Sequence, residues 1–309
     1  MTTFPPHPKQ IVHKASSRVS IGHKYDEAHD FWLVFDHYGS NGLYSFFEWR
    51  LAANAGESVD PASLERSALL QGEGSDWIGP YIVEAVNVPD AKPAFTGGNH
   101  AFDGGVGGSA TARTISVDVV ADGKPVADGA CVPCSEAVIV AVNEVQGFNT
   151  KKENGTGDAV LRETVEFTIA CGTVKVRHRM EMLTDVCIHK YYGLQTVNSL
   201  WSGEVQYGTD TSCSEPLPSF GANDSGPKSE HPDIDRFLIR SPDGRHEVLA
   251  WLDRSVGLGR LDWLADFLPV AFTMNYGKTY FNLINGTRPI FRIGDVLAWC
   301  GGYSFRSSR

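Results

Sequence analysis

Apolar and polar residues alternate with a period of two over many short segments of the chain. Successive side chains of a β-strand point to opposite faces of its sheet, so this alternation predicts half-buried strands. The same segments are rich in β-branched and aromatic residues, which favour strands. The predicted strands are 31–35, 43–51, 77–86, 114–120, 137–145, 160–170, 173–183, 186–192, 237–240, 246–252, 279–284 and 295–305.

Turn signals separate these segments, and helical patterns are scarce. Glycine or asparagine stands where a turn needs positive φ, at 38–42, 121–125, 153–157 and 171–172. Two short helices are predicted, at 60–70 and 258–267. Serial strands without alternating helices indicate an all-β fold, an antiparallel β-sandwich or jelly roll with few short helices.

The chain is long enough for two domains, but β-sandwiches often exceed 200 residues as one unit. We therefore expect one β-sandwich domain over 1–309, with an N-terminal arm at 1–15. The stretch 212–235 is dense in Ser, Pro, Gly and Asp and is interpreted as a long loop or lid.

Composition and charge narrow the classes of partner. Hydrophobic residues at 42% predict a sizeable core, and a net charge of -10 disfavours a general affinity for nucleic acid. No apolar run approaches the ~20 residues that a membrane helix requires, and no secretory signal is recognisable. The expectations are no nucleic acid, no membrane, and a cytoplasmic or phage-associated protein, possibly one that is released by lysis. The oligomeric state stays open.

Six cysteines are scattered, and only Cys131 and Cys134 are closely spaced. A CxxC pair forms half of a zinc site or a redox pair, but a second CxxC is missing. A pair of thiols in a loop is the alternative. No metal and no cofactor is predicted.

A glycine-rich segment is the first candidate site. Six glycines fall within the twelve residues from Gly97 to Gly108, and Asn99 and His100 interrupt them. Glycines allow a close approach of the backbone to a ligand, and polar side chains on such a loop are well placed for binding. The alternative is a flexible hairpin loop with a solvated histidine.

The predicted strand 173–183 carries a basic stripe. Lys175, Arg177, Arg179 and Glu181 alternate with apolar residues and share one face, with neighbours about 7 Å apart given a ~3.3 Å rise per residue. Arginine at this spacing suits the successive carboxylates of an anionic chain. The alternative is a solvated face with cross-strand ion pairs. His178, on the apolar face, is predicted to be a hydrogen-bonded core histidine.

The next predicted strand adds groups for proton transfer. His189, Tyr191 and Gln195 fall on one side of a regular strand, which we expect to be the hairpin partner of the basic stripe. Arg113, Trp77 and Tyr81 are candidates for the same groove, the two aromatic residues as stacking faces for sugar rings.

The basic pattern Arg177-x-Arg179-x-Glu181, followed by Lys190-Tyr-Tyr-Gly-Leu-Gln195, resembles two strands of the jelly-roll polysaccharide lyases, such as alginate lyases. The resemblance covers about twenty residues. It implies cleavage of a uronate-containing polysaccharide or oligosaccharide by β-elimination.

The resemblance also implies roles for side chains. A basic or amide side chain neutralises the uronate carboxylate, a histidine or tyrosine removes the C5 proton, and a tyrosine protonates the leaving oxygen. The corresponding hypothesis has Arg179, helped by Asn99, as the neutralising group, His100 as the base, and Tyr191 or Tyr192 as the acid. The predicted substrate-binding residues are Asn99, Arg113, Lys175, Arg177, Glu181, His189, Gln195 and Trp77.

Two other functions stay open. The same stripe and aromatic residues would suit a non-catalytic carbohydrate-binding or phage-tail receptor-binding module. A glycoside hydrolase would instead use two carboxylates, and the sequence does not indicate which two of its 37 acidic residues would serve.

Overall fold

The computed structural model describes residues 10–71, 76–103 and 107–307, and nearly all of its regular structure is β-strand. The strands of the first half of the chain are β1 (Gln10–Ala15), β2 (Arg18–Lys24), β3 (His29–Tyr38), β4 (Leu43–Ala53), β5 (Ala68–Gln71), β6 (Tyr81–Ala85), β7 (Ala112–Ala121), β8 (Lys124–Pro125), β9 (Cys131–Cys134), β10 (Ala137–Gln146) and β11 (Ala159–Ala170).

The strands of the second half are β12 (Thr173–Met182), β13 (Val186–Tyr191), β14 (Gln195–Val197), β15 (Glu204–Gly208), β16 (Leu217–Pro218), β17 (Asn223–Asp224), β18 (Arg236–Arg240), β19 (His246–Leu252), β20 (Ala271–Met274), β21 (Lys278–Phe281), β22 (Ile284–Asn285), β23 (Ile290–Phe291) and β24 (Val296–Ser307). The described helices are α1 (Ser63–Arg66) and a 3-10 turn at Gly257–Arg260.

Strands β11 and β12 show how alternation produces this fold. They pair antiparallel with Val165 opposite His178, and buried and exposed side chains alternate along β12. Cys171 and Gly172 join them at φ of 46° and 77°, in the left-handed region that a tight turn uses. The period of two therefore puts one face of each strand into the core.

Two large antiparallel sheets enclose the core. One has the order β5-β4-β3-β2-β1-β9, and the other β16-β15-β18-β19-β24-β12-β11-β10-β7-β8. Aromatic rings join them, with Phe35 of β3 lying 5.3 Å from Phe167 of β11 and Phe31 lying 5.8 Å from Phe305 of β24. The prediction of an all-β antiparallel sandwich is confirmed.

Two small sheets complete the molecule and support the cleft described below. One has the order β14-β21-β20-β17, and the other brings β6, β22 and β23 onto β13. The expected hairpin of β12 with β13 is therefore wrong. Strand β12 pairs with β11 and β24, because the C-terminal strand β24 occupies the edge at which β13 was expected.

The boundaries of other predicted elements also differ. Residues 10–15 of the expected arm form β1, which pairs with β2 and β9, whereas 1–9 lie outside the described residues. The predicted helix 60–70 reduces to α1 followed by β5, and 258–267 reduces to the 3-10 turn, which Leu261 ends at φ 61°. The stretch 212–235 is irregular apart from β16 and β17. In the part of the chain that the structure describes, neither helix has the length and apolar character that a membrane span requires.

Candidate functional site

A cleft of about 370 Å³ opens where the small sheet β14-β21-β20-β17 meets the segments before β6 and after residue 94. Its volume falls within the range of small-molecule sites, about 300–1,000 Å³. The lining combines a few charged groups with aromatic rings. The lining residues are Asp76, Pro80, Phe95, His100, Tyr192, Gln195, Phe272, Met274, Tyr276, Lys278 and Tyr280.

The glycine-rich segment holds the carboxylate of Asp76. The backbone N–H of Asn99 donates a hydrogen bond to Asp76 Oδ1. Gly98 adopts φ +50°, and a Cβ at this position would collide with the Asp76 carboxylate. The close approach of the loop therefore requires glycine at 98. Residues 104–106 of the segment lie outside the described residues.

The side chains of His100 and Lys278 contact the other oxygen of Asp76. His100 Nε2 and Lys278 Nζ each lie 3.3 Å from Asp76 Oδ2. Burial opposes ionisation of this carboxyl, but the hydrogen bond from His100 and the charge of Lys278 outweigh it and lower the pKa of Asp76. The side chain of His100 is 32% exposed, so its ring is oriented by the carboxylate and still open to a ligand.

Aromatic rings form the opposite wall of the cleft. Phe272 stacks on Tyr280 with centroids 4.9 Å apart, and Tyr192 lies 5.1 Å from Tyr280. Phe95 bridges to the charged side, 5.8 Å from Tyr192 and 5.1 Å from His100. Burial raises the pKa of Tyr192 and of Tyr280, so both phenols are protonated at neutral pH and able to donate a hydrogen bond.

The cleft contains part of the predicted site. His100, Tyr192 and Gln195 line it, and Asn99 lies beside it, with its side-chain oxygen accepting a hydrogen bond from Ser40 N at 2.9 Å. Gln195 is buried and donates through Nε2 to the carbonyl of Gly79. Asp76 and Lys278 are not among the predicted site residues, and they are 202 positions apart in the chain.

Two predicted residues lie in the core. Trp77 is fully buried, with its ring centroid 4.5 Å from that of Trp49. Tyr191 is also fully buried, stacks on Tyr81 at 4.4 Å and accepts a hydrogen bond from Trp299 Nε1 at 2.8 Å. Neither ring is accessible to a ligand from the solvent.

The basic stripe lies on the outer face of the ten-stranded sheet, and none of its residues lines the cleft. Acidic neighbours accompany it: Arg177 pairs with Glu166 at 3.4 Å, and Arg179 pairs with Glu181 at 3.2 Å. Lys175 is exposed on the same face. The Arg177 pair joins β12 to β11, whereas Arg179 and Glu181 both lie on β12.

The remaining two residues are also paired with carboxylates outside the cleft. Arg113 is 71% exposed and pairs with Glu144 at 2.9 Å. His189 is largely buried and pairs with Glu84 at 2.8 Å. The structure therefore does not bring Arg113, His189 or Arg179 together with His100.

A buried cluster on the inner face of the sheet contains His178. Its Nε2 lies 3.2 Å from Glu163 Oε2, which also accepts a hydrogen bond from Tyr81 at 2.7 Å. Asn143 donates to the other Glu163 oxygen at 2.8 Å. Burial opposes ionisation of Glu163, but the hydrogen bond and charge of His178 outweigh it and lower its pKa. The predicted hydrogen-bonded core histidine is confirmed.

Comparisons with known proteins give only distant likenesses. No protein-family model and no curated protein sequence matches the chain. An α-galactosidase of family GH36 from Geobacillus stearothermophilus aligns with a TM-score of 0.40 and 11% identity, over 97% of this chain and 40% of that one. An α-N-acetylgalactosaminidase from Bifidobacterium bifidum gives 0.35 and 11%, over 96% of this chain and 36% of that one.

A TPR-domain containing protein from Parabacteroides distasonis gives a TM-score of 0.34 and 9% identity, over 93% of this chain and 47% of that one. The chain thus spans less than half the length of each of these three structures. At these scores the likenesses carry no argument about the function of this chain.

Proposed function

We propose that this protein binds carbohydrate in the cleft between Asp76 and the aromatic wall. The observation that carries the proposal is the pairing of two surfaces across one cleft: the polar cluster of Asp76, His100 and Lys278 faces the rings of Tyr192 and Phe272. A sugar ring presents both kinds of surface, since its hydroxyl groups are polar and its C–H groups are apolar.

The polar side of the cleft supplies both a hydrogen-bond acceptor and a hydrogen-bond donor. The Asp76 carboxylate accepts from a sugar hydroxyl, and Lys278 donates to one. Hydrogen bonds with charged partners are about twice as strong as neutral ones, which suits the recognition of hydroxyl groups that water also binds. The aromatic side contributes apolar contact area from rings whose neighbours already fix their orientation.

The test is a binding screen of neutral and acidic oligosaccharides, followed by calorimetry on the strongest ligand. Tyr276→Ala removes an exposed ring from the cleft and is expected to weaken binding about tenfold, the effect of losing one aromatic contact. Phe267→Ala is the matched control, since Phe267 is 73% exposed and does not line the cleft. Equal losses in the two variants, or no ligand in the screen, would contradict the proposal.

A second candidate function is β-elimination of a uronate-containing polysaccharide at the same cleft. The contact of His100 with Asp76 favours it, because a carboxylate orients a histidine as a general base. His100 would remove the C5 proton, the C4–O bond would break with its electron pair on oxygen, and the Tyr192 phenol would protonate that oxygen. A C4–C5 double bond results. Lys278 would neutralise the uronate carboxylate in place of Arg179.

Ultraviolet absorbance of the new double bond distinguishes this candidate from its alternatives. A rise that is lost in His100→Ala and retained in Arg179→Ala supports elimination at the cleft. If the substrate binds but gives neither absorbance nor new reducing ends, the protein binds carbohydrate without cleaving it. New reducing ends without absorbance indicate a hydrolase, which needs a second carboxylate, and Asp76 is the only one among the described lining residues.

A further inference from the structure

A second cluster of polar side chains lies where β13 pairs with β6, and it is independent of the proposed carbohydrate site. Cys187 of β13 stands directly opposite Glu84 of β6. The register shifts between Ile188 and Lys190, so His189 is the extra residue of a β-bulge. Bulges redirect side chains, and here the imidazole reaches the carboxylate, with His189 Nε2 2.8 Å from Glu84 Oε1.

The three side chains offer a thiol, an imidazole and a carboxylate, which are the ligand types of zinc. One ligand atom from each lies within 4.8 Å of the other two. Zinc bonds of about 2.0–2.3 Å in a tetrahedral site place ligand atoms about 3.3–3.8 Å apart, so a small contraction suffices. The ring of Phe148 packs edge-on against His189 at 5.5 Å and limits its rotation.

Burial also fits a metal site. The side chains of Glu84 and His189 are each 14% exposed, and Cys187 is buried. All three lie on paired strands, whose hydrogen bonds hold the ligands in place. Three protein ligands would leave the fourth position of a tetrahedral zinc ion open to water or a substrate group.

The guanidinium of Arg288 lies beside the cluster. Its Nη2 is 3.3 Å from His189 Nε2 and 3.5 Å from Glu84 Oε1. A cation bound among the three ligands would repel this group. The Arg288 side chain is 64% exposed, so it is able to swing into solvent.

We propose that Glu84, Cys187 and His189 form a zinc-binding site from which Arg288 is displaced. Binding of the ion forms bonds to Sγ, an imidazole nitrogen and a carboxylate oxygen, and the thiol proton passes to the solvent. Arg288 occupies the neighbourhood of the ion in its absence and competes with it. Sequence spacing conceals the site, since Glu84 and His189 are 105 positions apart.

The experiment titrates the full chain with Zn²⁺ alone, by calorimetry in a non-chelating buffer with a phosphine reductant. Cys187→Ser and His189→Gln are each expected to lower the affinity by about a hundredfold or more, since even the loss of an outer partner costs 10–100-fold. Cys213→Ser is the matched control, an exposed cysteine outside the cluster, and keeps the affinity of the unchanged chain.

Arg288→Ala keeps the proposal testable if a ligand variant fails to fold. Removing the competing charge is expected to raise zinc affinity about thirtyfold, because the doubly charged ion and the guanidinium repel each other as two pairs of unit charges about 4 Å apart in water. Co²⁺ as a probe adds a thiolate-to-metal absorption band that disappears in Cys187→Ser and persists in Cys213→Ser. The proposal is overturned if Zn²⁺ does not bind, or if the Cys187 and Cys213 variants give equal affinities and cobalt spectra.

Discussion

Two histidine–carboxylate pairs of nearly equal length lie in very different surroundings. His178 and Glu163 are 3.2 Å apart, with side chains 0% and 5% exposed, and His100 and Asp76 are 3.3 Å apart, with side chains 32% and 7% exposed. The buried pair is closed by Tyr81 and other core residues, whereas the second pair opens into the aromatic cleft.

A histidine–carboxylate pair alone therefore does not identify a site. Both carboxylates are ionised and hydrogen-bonded, so the chemistry of the two contacts is similar. Only His100 has a ring face that a ligand reaches. We therefore propose a structural role for the Glu163 pair and a binding role for the Asp76 pair, and each proposal predicts different consequences of substitution.

The largest effect is expected from breaking the buried pair. Glu163→Ala removes the acceptor of three side chains and leaves His178 without its partner, which costs about 3–5 kcal/mol of the free energy of unfolding. Asp76→Ala is the matched variant and is expected to cost less, about 1–3 kcal/mol, since His100 reaches water. Urea denaturation measures both. Equal losses of the free energy of unfolding in the two variants would contradict the difference between the two pairs.

A third histidine, His23, is also buried in the core. Burial lowers the pKa of His23 to about 4, against the opposing charge of Asp30. The unfolded chain has a histidine pKa near 6.5, so between pH 6.5 and 4 it binds more protons than the folded state. Stability therefore falls as the pH drops through this window, by roughly 3 kcal/mol for this residue.

His23→Gln has no imidazole to titrate and should remove that part of the pH dependence. Denaturation curves at several values between pH 4 and 7 check this, with His100→Ala as the control that keeps it. A pH dependence that is unchanged in His23→Gln would show that other groups cause it.

His100→Ala is expected to separate binding from stability. The contact of His100 with Asp76 is partly exposed, so its loss should cost no more than about 1 kcal/mol of the free energy of unfolding. Loss of the ring that faces the cleft should nevertheless weaken carbohydrate binding about tenfold. Calorimetry and urea denaturation on the same preparation measure the two effects. A large loss of stability with normal binding would reverse the assignment.

The smallest effect is expected on the basic stripe. Arg179 is 49% exposed and pairs only with its neighbour Glu181 among the described residues. Arg179→Ala should change the free energy of unfolding by less than about 0.5 kcal/mol and should leave carbohydrate binding unchanged. A marked loss of binding would favour the stripe over the cleft as the site.

The sequence predicts the sheets better than it predicts the cleft. Alternation locates β11, β12 and β19 to within a residue or two, because their inner faces bury a side chain at every second position. The predicted hairpin of β12 with β13 is wrong because the residue pattern of one strand does not specify which other strand pairs with it. That choice depends on β24, more than a hundred residues later.

The candidate site shows the same limit. The glycine-rich segment points to His100, because this histidine stands among glycines that are close to it in the sequence. No local pattern marks Asp76 or Lys278, because the two residues are far apart in the sequence and come together only in the folded chain. The alternation of Tyr276, Lys278 and Tyr280 on β21 and the turn before it is the one local pattern that could have drawn attention to this wall.

A crystal structure of the protein with the strongest oligosaccharide from the binding screen would show where the sugar binds. We expect a sugar ring against Tyr192 or Phe272, with its hydroxyl groups within hydrogen-bond distance of Asp76, His100 or Lys278. A sugar bound along Lys175, Arg177 and Arg179, or anywhere else with the cleft unoccupied, would contradict it.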